Sequence, residues 1–266
     1  MSTQLNITNA NEILFRPSGM ADIMSGTGKG WNVENSLTCK KKLIKMFREI
    51  RYNRYYFFTN KYTEKGIKME EDAITLYSRV KKLPFFKNSE RLTNQYFSGE
   101  FDLKHGNTTI DIKCSWSLDS FPHPMVDKAD EAYKLQGNCY MDLTGATKHI
   151  VAYCLVNAPA NLITREKEKM FYEMNCPDLE DPKYISQMEA IERNMIFDME
   201  QFKNDNPRFD LHSKDWVYDI PMKERVVEFH FEKDAALIGK MKDRVDECRE
   251  WMNANLFGKN ETAQTL

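Results

Sequence analysis

Several features that would commit this chain to a specialised class are missing. With 11 Gly and 9 Pro in 266 residues and no internal repeat, it has no collagen-like or low-complexity segment and no linker long enough to separate domains. The longest apolar run, Ile150 to Val156, falls far short of the roughly 20 residues that a membrane-spanning helix requires, and the first 25 residues lack the apolar centre of an export signal. The six cysteines, Cys39, Cys114, Cys139, Cys154, Cys176 and Cys248, form no Cys-x-x-Cys pair and have no histidine at zinc-ligand spacing. Free thiols in a soluble, cytoplasmic protein are therefore expected. Gly26-Thr27-Gly28-Lys29-Gly30 lacks both the leading Gly and the trailing Ser or Thr of a phosphate loop, because Ile23 and Gly30 stand in those places.

An excess of one charge is also missing. The 38 Lys and Arg stand against 40 Asp and Glu, a net charge of −2, which taken whole does not suggest a nucleic-acid binder. That balance is an average over two unlike parts. Between Thr38 and Lys68 there are ten Lys or Arg against two acids, so the rest of the chain carries the acidic excess.

The local patterns predict a mixed α/β (α+β) chain, with a central mixed sheet flanked by helices. A strand or loop over Ile13 to Pro17 leads to a short helix from Ser18, followed by a basic, aromatic helix over about Val33 to Phe58 and another over Thr63 to Lys81. Extended segments at Thr93 to Leu103 and Thr108 to Ser115 flank Lys104-His105-Gly106-Asn107, which suits a hairpin turn. A helix over Met125 to Leu143, a strand over Lys148 to Val156, one or two charged helices within Thr164 to Lys203, a strand over Arg225 to Phe231 and a helix over Ala235 to Leu256 complete the order. We expect one domain over 1–266, with its core at about 13–156, a C-terminal elaboration at about 160–257 and a disordered tail from about 258.

Three polar groups break these patterns. At about 100° per residue, Met69, Ala73, Leu76, Val80, Tyr77, Ile74 and Ile67 share one arc of the helix after Gly66, and Glu70 falls inside it, while Glu71 falls on the solvent side. On the helix after Met125, Gln136 projects from the centre of an arc made by Cys139, Ala132, Leu143, Ala129, Tyr140 and Tyr133. In the hairpin, strand alternation sends Ile110, Ile112 and Cys114 to one face and Asp111 with Lys113 to the other, with Asp102 on the partner strand opposed to Phe101 and Leu103. Each has an ordinary alternative: an edge carboxylate, a satisfied core amide, or a solvated Asp–Lys pair.

Gathered in one place, two Asp and a Glu are hard oxygen donors suited to Mg²⁺, with Mn²⁺ as a substitute. Carboxylates this close repel unless a cation lies between them. Lys113 beside such an ion could orient a water, accept its proton or neutralise a transition state, the set needed for metal-dependent phosphodiester hydrolysis.

The order Asp102, then Asp111-Ile112-Lys113, resembles the Asp…(Asp/Glu)-x-Lys signature of the PD-(D/E)XK nucleases. Gly66-x-x-x-Glu70 before it and Gln136-x-x-x-Tyr140 after it are similar to the flanking motifs of the branch holding RecB-type nucleases and phage recombination exonucleases. Lys65 to Ala73 and Asp111 to Cys114 look most like the lambda exonuclease and YqaJ viral recombinase group, and the resemblance spans roughly Arg16 to Val156. It implies a restriction-endonuclease-like core with metal on Asp102, Asp111 and the Ile112 carbonyl, and with Glu70 binding directly or through water. Lys113 would be catalytic, and Gln136 and Tyr140 would face the catalytic centre or the DNA end. Arg16 and Ser18 resemble the family's phosphate-contacting Arg and Ser. The implied activity is resection of linear double-stranded DNA ends, 5′ to 3′, in phage-type recombination inside a bacterial cell. A single-strand annealing partner and a homotrimer are implied only by the resemblance. The alternatives are a structure-specific or restriction-type endonuclease and a non-catalytic DNA-binding module on the same fold.

The basic stretch adds its own reading. Lys41, Lys45 and Arg48 recur at helical spacing and could lie along a DNA backbone; the aromatics interleaved with them, Tyr52, Tyr55, Tyr56, Phe57 and Phe58, are expected in the core, the alternative being that they wedge or stack on bases at a strand end. Trp116 and Phe121, in the loop leaving the Lys113 strand, are placed to meet a DNA end.

Overall fold

A computed structural model of the chain describes residues 8–26, 32–56, 59–128, 130–213 and 219–258. The expected disordered tail from about 258 lies almost wholly outside these residues, as do most of the glycine-rich segment at 26–30, Phe57 and Phe58. The elements in chain order are α1 (Met20–Ile23), α2 (Leu37–Tyr52), α3 (Lys61–Lys81), β1 (Leu92–Thr93), β2 (Ser98–Gly99), β3 (Leu103–His105), β4 (Thr108–Cys114), α4 (Glu131–Thr144), β5 (Lys148–Cys154), α5 (Ala160–Glu173), α6 (Pro182–Met195), α7 (Met199–Asp205), β6 (Val226–Glu232) and α8 (Ala235–Met252). A 3₁₀ turn, Pro17–Gly19, precedes α1.

The ends of these elements follow from local chemistry. Ser36 caps α2 by accepting the Cys39 amide at 3.2 Å, and Asn53 closes the helix in the left-handed region at φ 49°. The basic helix thus stops before Arg54, well short of the expected Phe58. Asn60 and Thr63 form a reciprocal capping box that starts α3 two residues earlier than its apolar pattern suggests. Asp130 caps α4 by accepting the Ala132 amide at 2.9 Å, so that helix starts six residues after the expected Met125. Gly106, at φ 54°, opens the two-residue loop between β3 and β4, a position that a side chain would strain. The expected single strand over Thr93 to Leu103 is broken into β1, β2 and the start of β3, and the charged C-terminal stretch makes three helices, α5 to α7.

The main sheet has the order β3-β4-β5-β6. Its β3/β4 and β5/β6 pairs are antiparallel, while β4 and β5 are parallel, with Asp111 opposite Val151 and Lys113 opposite Tyr153. A parallel pair needs a crossover, and α4 supplies it. Helix α3 covers one face of the sheet, burying Ala73, Leu76 and Tyr77 against Leu103, Ile110, Ile112, Ala152 and Cys154. Helix α4 lies on the opposite face. Behind it, α1, α2 and α8 share a second core around Met20, Cys39, Leu43, Cys139, Met241 and Cys248. A third core, with Leu162, Ile163, Met195 and Phe202, joins α5 to α7. Among the described residues no helix is long and apolar enough to cross a membrane, and all six cysteines are free.

Candidate active site

Strand alternation divides β4 as the sequence predicts. Ile110 and Ile112 are buried under α3, and Asp111 with Lys113 point to the side covered by α4. Asp111 is 3 % exposed, so this face is not a solvated one. Asp102 lies just ahead of β3, where its Oδ2 accepts the Ile112 amide at 2.7 Å in place of a ladder partner. Since the amide and carbonyl of one strand residue point to the same edge, the Ile112 carbonyl also faces the Asp102 side.

Gln136 reaches this face from α4. Its Nε2 donates to Asp111 Oδ1 at 3.3 Å and to the Tyr140 hydroxyl at 3.1 Å. The i, i+4 spacing of Gln136 and Tyr140 on one helix makes that pair possible. Tyr140 is buried, so it backs Gln136 instead of presenting a surface. Lys113 Nζ lies 2.5 Å from Asp111 Oδ2 and 4.9 Å from the centre of the Tyr133 ring.

The electrostatics carry the signature of a site built for more positive charge. Burial, and then the neighbouring Asp111 charge, push the Asp102 carboxyl up to about 7, against the pull of the Ile112 amide and Lys113. Burial alone would lower Lys113, yet the charge and close contact of Asp111 hold it above the ordinary lysine range. Asp111 Oδ2 is buried without a hydrogen-bond donor in good geometry. Two crowded carboxylates and a strand carbonyl fit a hard divalent cation such as Mg²⁺, which commonly takes one or two carboxylates and keeps several waters.

Glu70 is less committed than the sequence suggests. It lies close enough to raise Asp102, but its Oε2 accepts from Lys87 Nζ at 2.5 Å. Among the described residues no three acidic, histidine or cysteine side chains converge as a metal cluster. Lys87, in the segment after α3, carried no sequence signal, since a lysine in a polar loop is unremarkable.

The loop leaving β4 is anchored at Trp116. Its carbonyl accepts from Lys65 Nζ at 3.0 Å, its ring packs edge-on to Tyr62, and Lys61 lies 4.7 Å from its centre. Lys65 is fully buried while Ile67 is 70 % exposed, the reverse of the expected arc at this end of α3. Residues 65 and 67 are about 200° apart on the helix, and Trp116 with Phe197 occupy the direction of position 65. A signal was present: Lys65 falls within about 40° of Met69 on the wheel.

Burial depresses Lys65 to about 7. With its folded pKa below the unfolded value of about 10.4, the unfolded chain binds more protons between the two, so stability from this group rises with pH through that window. Lys65→Met should therefore raise the melting temperature relative to wild type most at pH 6 and progressively less by pH 9. An offset that does not change with pH would contradict the burial of this charge.

The other predicted contacts lie towards the rim. Phe15 bridges Phe97, with Phe15 N donating to Tyr96 O at 2.9 Å, and this holds the exposed Arg16 and Ser18 beside β2. Pro17 packs so closely on Gly99 that a Cβ there would stand 2.7 Å from Pro17 Cγ and 3.1 Å from Tyr140 Cε1. Gly99 thus lies between Pro17, the neighbour of Ser18, and the Tyr140 ring. Lys41, Lys45 and Arg48 form an exposed stripe on α2. The expectation that the aromatics after Arg51 are core fails for Tyr52, Tyr55 and Tyr56, which are 62 %, 58 % and 74 % exposed: Tyr52 is the last residue of the helix, and Tyr55 and Tyr56 lie beyond its end.

No protein-family model and no curated protein sequence matches the chain. Solved structures do. A phage-related exonuclease from Haemophilus somnus 129PT is similar over 96 % of this chain and all of its own, with a TM-score of 0.67 and 22 % identity. An alkaline exonuclease from Laribacter hongkongensis is similar over 97 % of both chains, with a TM-score of 0.56 and 13 % identity. Its complex with dAMP matches over 99 % of this chain and all of its own, with the same score and identity. The fold is therefore that of these exonucleases, a central mixed sheet flanked by helices, consistent with the expected restriction-endonuclease-like core.

Proposed function

We propose that the chain is a metal-dependent nuclease acting on linear double-stranded DNA from its ends. The observation that carries this reading is the meeting of Asp102, Asp111, Lys113 and Gln136 on one face of the sheet, in a chain with the fold of two exonucleases.

When bound by Asp102, Asp111 and the Ile112 carbonyl, Mg²⁺ would activate a water and offset charge on the scissile phosphate. The protein groups have separate tasks. Lys113, held against Asp111, would orient the attacking water, accept its proton or neutralise charge on the phosphate. Gln136 fixes one oxygen of Asp111 and leaves the other directed towards Lys113 and the ion site. The Ile112 amide fixes Asp102 in the same way. Ser18 and Arg16 would take the phosphates of the entering strand at the rim. Glu70, once released by Lys87, would complete the shell directly or through water.

The test is digestion of end-labelled linear duplex with Mg²⁺, beside closed circular duplex. Release of nucleotides from the linear substrate alone supports an exonuclease, and cutting of the circle supports an endonuclease. Unequal loss of 5′ and 3′ labels then reports the polarity, proposed as 5′ to 3′.

A binding readout independent of cleavage is also available. Since the folded Asp102 pKa of about 7 exceeds the unfolded value of about 3.9, the metal-free protein should lose stability as pH rises between them. Protons and metal compete for the same carboxyl. Mg²⁺ at about ten times its dissociation constant should raise the melting temperature by about 3 to 6 °C at pH 8 and by less at pH 5.5. Asp111→Asn should abolish the shift, and an equal shift in that variant would place the ion elsewhere.

A further inference from the structure

The basic groove of α2 and the tyrosines beyond it are not needed for hydrolysis, yet they are built like a ligand site. Lys41, Lys45, Arg48 and Arg54 line a depression of about 420 Å³, with Ile44 and Tyr56 as its apolar surface. Its one acid, Glu49, lies 3.8 Å from Lys45. Among the described residues Lys41, Arg48 and Arg54 have no acidic partner, so this charge is not neutralised internally. At 1.5 Å rise per residue, Lys41, Lys45 and Arg48 follow each other by about 6 and 4.5 Å along the axis, the scale of one or two nucleotide steps.

The aromatics decide what kind of nucleic acid fits. Asn53 turns the chain out of the helix; Tyr52 before it and Tyr55 and Tyr56 after it are exposed, and Tyr56 lines the groove with the cations. Among the described residues none of these rings stacks on another. Exposed rings offer faces to bases, but duplex bases are already stacked on one another, and only an unpaired strand has base faces to give. A cationic track with stacking platforms is the general design for single-stranded nucleic acid. The helix itself also meets the segment that carries Ser18. On another side of α2, Lys42 bonds Asp22 at 3.3 Å and lies against Gly19, next to Ser18.

We propose that this groove binds single-stranded DNA, namely the strand left uncut as the opposite strand is digested. The proposal rests on the nuclease reading above for the source of that strand, while the binding itself can be tested separately.

The probe is a fluorescein-labelled 20-nucleotide oligo(dT), with a duplex of equal length as comparison, measured by anisotropy in EDTA so that nothing is cut. Tyr55→Ala/Tyr56→Ala should weaken oligo(dT) binding about tenfold or more, as expected for lost base stacking, and change duplex binding less than about twofold. The Tyr55→Phe/Tyr56→Phe pair should keep the affinity, since stacking uses the ring. Lys41→Gln/Lys45→Gln should flatten the slope of log Kd against log salt by about 1.4, for two lost single-strand phosphate contacts. Unchanged oligo(dT) binding by the alanine pair, or equal loss of oligo(dT) and duplex, overturns the proposal. Wild-type cleavage of linear duplex is scored separately. Cleavage without a tyrosine effect removes the groove and leaves the nuclease, and a tyrosine effect in a chain that cuts nothing keeps the single-strand site and removes the nuclease reading.

Discussion

Lys113→Ala is expected to slow hydrolysis of linear duplex by about 10³-fold, within the range for loss of a positioned proton-transfer or charge-stabilising group. The loss should appear in kcat with little change in KM, because the proposed mechanism puts Lys113 where charge develops and leaves the DNA to be held mainly at the rim. Lys113→Arg keeps the charge, but its planar head cannot reproduce an ammonium 2.5 Å from Asp111, so only partial recovery is expected. Removing Lys113 also takes away a group that favours ionised Asp102, leaving two buried carboxylates facing each other. The alanine variant should therefore be less stable than wild type at pH 8, and saturating Mg²⁺ should narrow the difference. Circular dichroism at the assay temperature separates lost chemistry from lost fold. A folded Lys113→Ala protein that digests as fast as wild type would falsify the assigned centre.

The largest expected effect on stability belongs to Gly137→Ala. A Cβ at Gly137 would stand 2.2 Å from His149 Cδ2 and 2.6 Å from Cγ, closer than packed atoms can approach. His149 cannot easily yield. It is 1 % exposed, its Nδ1 lies 2.9 Å from Thr109 Oγ1, and its ring packs between Tyr140 and Phe231. Burial depresses its pKa to about 4, so it is a neutral ring wedged between α4 and the sheet. The substitution should cost about 3 kcal/mol or more, lowering the melting temperature by about 6 to 12 °C. Because Gln136 adjoins Gly137, displacement of α4 should also pull the amide from Asp111 and reduce kcat. The double variant Gly137→Ala/His149→Ala should regain part of the loss, and simple additivity of the two changes would contradict the steric account.

How much of this was legible before the structure depends on the distance over which each residue's environment is set. The β4 alternation placed Asp111 and Lys113 together because strand geometry is local, and Gln136 was visible because it interrupts an otherwise apolar helical arc. Glu70 was read as inward for the same reason, but its ion pair with Lys87 joins residues 17 positions apart, with no periodic relation between them. Lys65 was missed because a lysine is ordinarily assigned to solvent. Its burial depends on Trp116 and Phe197, which reach it from other parts of the chain. Tyr55 and Tyr56 were misjudged because aromatic character argues for a core only if the helix continues, and the turn at Asn53 ends it.

By itself, the sequence determined the fold class, the helix faces apart from the start of α3, the hairpin and the order of the acidic and basic motifs, since each follows from hydrophobic period, capping or turn chemistry within a few residues. Only the tertiary structure decided which charges meet. The approach of α4 to the sheet at Gly137 sets Gln136 on Asp111, and the break before β3 lets Asp102 take the Ile112 amide. The net charge of −2 likewise gave no sign that buried carboxylates gather behind β4 while the exposed side of α2 carries a groove rich in cations. Their separation depends on long-range packing, which no local pattern records.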